Sequence, residues 1–219
     1  MRFFTSDHHH YHKNVIDYCN RPFSKENLQE MTDALIKTWN DCVTDSDIVY
    51  FLGDFSLNPK HSATIVPQLK GTKVLIPGNH DKCFKFPNQG NESHEKNVKK
   101  YLLHGWNFVW QTDEIDIQGF KFRLSHLPYR SEAGNQYDTR YQEAKPIDDG
   151  LPMLHGHLHC RYLKFNNMID VGIDNNFQLL SEDDIISIYK DERSFIPSRL
   201  TEFYKERVEQ SEWRKQGEM

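Results

Sequence analysis

With 219 residues, 37% of them hydrophobic and 27% charged, the chain has the make-up of a soluble globular protein and the length for one sizeable α/β domain or two small ones. A net charge of -5 argues against a broad nucleic-acid-binding surface, and no apolar run approaches the length of a membrane span. Four cysteines without C-x-x-C spacing, and an N-terminus that enters a strand with no signal peptide, point to reduced thiols in the cytoplasm.

Arg2 to Ser6 reads as a short strand that ends in Asp7-His8-His9-His10-Tyr11-His12. In extended backbone, residues i and i+2 face the same way, so Asp7 and His9 are expected to reach one metal while His8 points elsewhere. His10 and His12 stay open between partners of the ligands, substrate contacts and a solvated turn. Arg21-Pro22-Phe23 reads as a rigid entry turn with Arg21 at the surface, a position facing the site being the alternative. Ser24 is expected to cap a helix running to about Asp41, with Leu28, Met31, Leu35 and Trp39 as its core stripe.

Ile48-Val49-Tyr50-Phe51-Leu52 reads as a buried strand that empties into Gly53-Asp54-Phe55. A helix near His61 to Leu69, weakened by Pro67, leads to the strand Lys73 to Pro77 and then to Gly78-Asn79-His80-Asp81. Lys82 to Asn97 is polar and reads as an exposed loop running into a helix near His94 to Leu103. Glu114 to Ile117 and Phe120 to Leu124 alternate around Gln118-Gly119, the pattern of a hairpin whose second strand ends at Ser125-His126.

Ser131 to Gly150 has no clear period and reads as a loop over the site or a surface excursion. Leu151 to Leu154 is expected to be a strand feeding His155-Gly156-His157-Leu158-His159. Met168 to Ile173 and Asp184 to Tyr189 read as two closing strands, and a charged helix is expected at about 197–215. No linker divides the chain, so residues 1–219 read as one domain. Arg130 and Arg161 are weighed as phosphate contacts and read as surface residues.

Five strand ends thus deliver oxygen or nitrogen donors, and six of the twelve histidines fall among them. Imidazole with carboxylate suits Mn, Fe, Ni or Zn, with manganese the expected metal. Two divalent ions facing only two carboxylates, Asp7 and Asp54, leave a positive site inside a negative protein. Such a site favours a hydroxide and a phosphate together. Asp54 is the candidate for the carboxylate between the ions. His80, next to the ligand Asn79 yet pointing another way, is the candidate proton donor to a leaving oxygen, and Asp81 the candidate that orients it.

The ordered set Asp7/His9, Gly53-Asp54, Gly78 to Asp81, His126 and Gly156 to His159 resembles that of the calcineurin-like metallophosphoesterases. Ser6-Asp7 with His12-Lys13-Asn14, Asn20-Arg21-Pro22-Phe23 and Val171-Gly172-Ile173-Asp174 resemble a subgroup of small bacterial and phage members. The resemblance implies a four-layer α/β/β/α sandwich of two mixed sheets flanked by helices. It implies one metal on Asp7, His9, Asp54 and His159, the other on Asp54, Asn79, His126 and His157, and His80 as acid or transition-state stabiliser. The expected activity is hydrolysis of a phosphate ester by a metal-bound hydroxide, with a small nucleotide-like phosphodiester favoured over a monoester. A non-catalytic scaffold of the same fold and a histidine-rich metal carrier are the rival readings.

Overall fold

Alternation along Arg2–Thr5 (β1) sends Phe3 and Phe4 into two different apolar cores, which is how one buried strand comes to be covered on both faces. The computed structural model of the chain describes residues 1–130, 140–159 and 162–190. In it β1 lies between Leu180–Ser181 (β10), which pairs antiparallel, and Ile48–Phe51 (β2), which pairs parallel. Thr72–Leu75 (β3) and Phe108–Val109 (β4) continue the sheet in parallel, giving the order β10-β1-β2-β3-β4.

A second sheet has the order β5-β6-β7-β9-β8, built from Asp113–Ile117 (β5), Phe120–Leu124 (β6), Met153–His155 (β7), Lys164–Phe165 (β8) and Met168–Asp170 (β9). Its β5–β6 pair is the expected hairpin, with Gln118 and Gly119 both at positive φ. Phe4, Leu52 and Leu180 of the first sheet meet Ile117, Phe122, Leu124, Leu154 and Ile169 of the second in one core. A short helix, Lys13–Tyr18 (α1), follows β1. The opposite face of the first sheet packs Phe3, Val49, Phe51 and Leu75 against Trp39, Ile65 and Tyr101 of the helices Leu28–Cys42 (α2), Pro59–Ile65 (α3) and Asn91–Leu103 (α4). The chain is therefore an α/β sandwich of two mixed sheets with helices.

Several local expectations need correction. The cap of α2 is Asn27, whose side chain accepts from the Glu30 amide, and not Ser24, which bonds Glu26 in the preceding turn. α3 starts earlier than expected because Asn58 caps it and Pro59 sits in its first turn; Val66–Gln68, with Pro67, is a 3-10 turn. The strand expected at Asp184 to Tyr189 is a helix, Glu182–Tyr189 (α6). Its β-branched isoleucines suggest a strand, but Ser181 and Asp184 form a reciprocal capping box and three acids fill the first turn. β9 ends at Asp170, and Gly172 leads into a short helix, Ile173–Asn176 (α5). The helix expected at about 197–215 lies outside the described residues, as do Arg161 and residues 131–139.

Candidate metal centre

The loops that leave β1, β2, β3, β6 and β7 meet at one end of the two sheets. The loop after β1 is stitched to the loop after β2 by three backbone bonds: the Asp7 amide to the Gly53 carbonyl at 2.9 Å, His9 to Asp54 at 3.1 Å and His10 to Phe55 at 2.9 Å. Asp7 (φ 59), His9 (φ 49) and Asp54 (φ 59) all lie in the left-handed region. Asp7 and His9 therefore converge through a tight left-handed loop, which corrects the extended-backbone expectation. Close approach explains two of the glycines: a Cβ at Gly78 would sit 2.2 Å from Asp54 Oδ1, and one at Gly156 would sit 2.4 Å from Asp7 Oδ2.

Three donor groups result among the described residues, one of them, Cys19, His159 and Asp174, sharing His159 with the first of the two at the loop ends. Asp7, His9 and His159 bring one ligand atom each to within 4.8 Å of one another, and Asp54, His126 and His157 do the same. Asp54 Oδ2 stands between them, 3.6 Å from His9 Nε2, 3.4 Å from His126 Nε2 and 4.0 Å from His80 Nε2. Asn79 joins the second group, its Oδ1 3.1 Å from His126 Nε2. The seven expected ligands are thus brought together at one place.

The chemistry of these donors suits cations. Asp7 Oδ1 and His9 Nε2 are buried and have no hydrogen-bond partner among the described residues, a costly arrangement unless an ion satisfies them. His126 Nδ1 lies 2.7 Å from the Leu52 carbonyl and His159 Nδ1 lies 2.7 Å from Asp174 Oδ2. Both partners only accept, so Nδ1 carries the proton and Nε2 is left to act as ligand. Burial disfavours charge on His126, but the Asp54 carboxylate outweighs it and pushes the imidazole up to about 10, so a cation at Nε2 would take the place of a proton there. Burial alone would raise Asp54, yet His126, His9 and His80 hold it well below the usual carboxylate range. His9, dominated by burial, is driven well down.

His80 sits at the mouth, its side chain 41% exposed and its backbone amide donating to Asp54 Oδ1 at 2.9 Å. Asp81 does not orient it. The Asp81 carboxylate is buried and accepts from the backbone amides of Asp54 and Gly78, both at 2.8 Å, and of Phe55 at 3.3 Å. Burial and then Asp54 push Asp81 up to about 7, with the amides opposing.

The extra histidines separate by environment. His8 packs edge-on against Phe51 and Trp39 with Nε2 3.1 Å from Thr5 Oγ1, and His10 is buried against Phe55, so neither is a solvated turn. His12 is half-buried, its ring 5.4 Å from that of His9. Tyr141, from the described part of the 131–150 segment, places its hydroxyl 3.5 Å from Asn79 Nδ2 and its ring 5.7 Å from His157. Arg130 is exposed on a bridge to Ile147.

Arg21 corrects the surface expectation outright: its side chain is 1% exposed and pairs with Asp174. Asp174 and Tyr141 are the neighbours that reasoning from residue type missed, along with Cys19, whose Sγ lies 3.3 Å from His159 Nδ1. Arg21 and Asp174 had a signal, since each belongs to a short segment that resembles the phage and bacterial subgroup. Tyr141 had none beyond its place in a long loop.

No family model matches the chain. It is 36% identical over 164 residues to Uncharacterized protein MJ1445 of Methanocaldococcus jannaschii, an alignment covering 74% of this chain and 70% of that protein. The chain belongs to the family of that archaeal protein. It is also similar to the Gene 66 protein of Mycobacterium phage L5, 28% identical over 84% of this chain and 92% of the relative. The phage D29 Gene 66 protein is 26% identical over 86% and 95%. Among solved structures, the protein of unknown function AQ665 from Aquifex aeolicus shares the fold with a TM-score of 0.62, at 24% identity over 86% of this chain and 98% of that one. Among the described residues no helix is long and apolar enough to cross a membrane.

Proposed function

We propose that the chain is a dinuclear-metal phosphoesterase of the calcineurin-like kind, acting on a small, nucleotide-like phosphodiester. The observation that carries this reading is Asp54 Oδ2, which faces both donor groups at 3.4 to 3.6 Å while Oδ1 is held by the His80 amide. One carboxylate oxygen open to two sets of imidazoles is what a pair of ions sharing a ligand requires.

Asp7, His9, Asp54 and His159 would hold one divalent cation and Asp54, Asn79, His126 and His157 the other. When bound, such a pair supplies Lewis acidity toward a phosphoryl group and acidifies a water. The protein's own part is orientation and proton delivery. The Leu52 carbonyl and Asp174 fix the rings of His126 and His159. His80, tethered by its amide to Asp54 and open to solvent, is positioned to protonate the leaving oxygen of a poor alkoxide, the reason a diester is favoured over a monoester.

Hydrolysis of bis(p-nitrophenyl) phosphate and of p-nitrophenyl phosphate, with Mn, Fe, Ni or Zn added to metal-free protein, tests this. Turnover of the diester above the monoester supports the full reading, and the reverse makes the enzyme a phosphomonoesterase. Binding of two ions with no turnover of either ester would leave a metal-binding scaffold.

A further inference from the structure

Arg21 and Asp174 are 153 residues apart in sequence and form a fully enclosed pair, their side chains 1% and 0% exposed. The guanidinium grips the carboxylate with both prongs, Nε to Oδ1 at 2.6 Å and Nη2 to Oδ2 at 2.9 Å. Its remaining reach goes to the ligand loop: Nη2 donates to the Asp7 carbonyl at 2.6 Å and Nη1 to the His8 carbonyl at 2.7 Å. Asp174 Oδ2 then accepts from His159 Nδ1 at 2.7 Å. Asn20, at φ 50, makes the turn that presents Arg21.

We propose that Arg21 and Asp174 are positioning residues for one of the two cations, the one on Asp7, His9 and His159. The inference rests on the dinuclear reading above and adds which residues shape one half of the centre. Asp174 fixes the tautomer and direction of the His159 ring, leaving Nε2 toward Asp7 Oδ1, 3.8 Å away. Arg21 compensates the buried charge of Asp174 and pins the carbonyls of a loop whose Asp7 is left-handed. Lysine cannot replace it, because a single ammonium lacks the planar fork that spans a carboxylate and two carbonyls. In the other group the His126 ring is oriented by a separate partner, the Leu52 carbonyl, so loss of the His159 clamp is felt first at the cation on Asp7, His9 and His159.

The test is titration of metal-free wild type, Asp174→Asn and Arg21→Lys with Mn(II), free ion being read by electron paramagnetic resonance. Folding is checked by thermal melts. Wild type should bind two ions. In each variant one ion should weaken by about 10- to 100-fold while the other holds. Asp174→Asn keeps the side-chain volume, so it decides the matter if Arg21→Lys does not fold. Should neither fold, 15N spectra of histidine-labelled, zinc-loaded wild type decide. They should show His159 with its proton on Nδ1 and its metal on Nε2, and the opposite assignment overturns the proposal. Folded variants that bind both ions as wild type does, or lose both equally, overturn this inference and leave the dinuclear reading standing. Wild type that bound no manganese would overturn both. Selective loss of one ion in a protein that cleaves no ester would uphold the positioning role and remove the phosphoesterase reading alone.

Discussion

Replacing Asp81 separates a structural role from a catalytic one. Its carboxylate accepts three buried backbone amides, two from the Asp54–Phe55 turn and one from Gly78, so it ties the loop after β2 to the loop after β3. Alanine would strand all three N–H groups at about 1–3 kcal/mol each, a sum that rivals the roughly 5–15 kcal/mol by which a whole domain is stable. Asparagine is the better probe. Its one oxygen can keep the Asp54 and Gly78 amides, both at 2.8 Å, while its NH2 turns a donor against the Phe55 amide. Asp81→Asn is therefore expected to cost about 1–3 kcal/mol in urea unfolding at about pH 5, where the raised wild-type carboxyl is protonated and the substitution relieves no buried charge. Turnover of bis(p-nitrophenyl) phosphate by the metal-loaded variant, measured well below its melting temperature, should fall far less than in His80→Ala. Unchanged stability together with a loss of turnover equal to that of His80→Ala would refute the assignment and restore Asp81 as the group that orients His80.

Asp54→Ala should abolish binding of both ions, since Oδ2 serves both donor groups; full occupancy by metal analysis would contradict the shared role. His80→Ala should keep both ions and slow cleavage of a diester with a poor leaving group by roughly 10²–10⁴-fold, whereas an unchanged rate would remove the acid role. Asp47, bonded first by the Met1 amino group and then by the Thr44 amide and hydroxyl, is lowered from 3.8 to about 2. A depressed carboxylate stabilises the fold above its unfolded pKa and loses that contribution as pH falls through the folded one. The stability gap between wild type and Asp47→Asn should thus be flat above about pH 4 and close between about pH 4 and 2; a gap that widens on acidification would reverse the sign.

How much was legible follows from which physics each feature uses. A continuous apolar run located β2 and period-two alternation the β5–β6 hairpin, because a strand buried on one or both faces must write its faces into consecutive residues. Donor residues stood at strand ends, so the expected ligands could be named without knowing the loops that hold them. α6 was misread because isoleucines at Ile185, Ile186 and Ile188 serve a strand or a buried helix equally well, and only the Ser181–Asp184 box separates the two. The pairing of Arg21 with Asp174 was hidden for a deeper reason, although each lies in a segment that carries the resemblance: it is a long-range meeting that no local pattern encodes, and a charged side chain is expected outside until its partner is known.

The ligand loops reach their shape by a route the alternation rule excludes. Asp7, His9, Asp54, His157 and His159 all have positive φ, between 49° and 73°. Non-glycine residues pay for that conformation, by about 1–3 kcal/mol where the backbone is strained, so each must be held by bonds from elsewhere in the fold. Those bonds are visible: Gly53, Asp54 and Phe55 carbonyls hold the first loop, and Asp7 Oδ2 accepts the His157 amide at 3.0 Å. Asp7 is thus both a donor in one group and the anchor of the loop that carries His157 in the other. The two donor groups are consequently one mechanical unit at Asp7 and Asp54, even though His159 and His126 are oriented by separate partners.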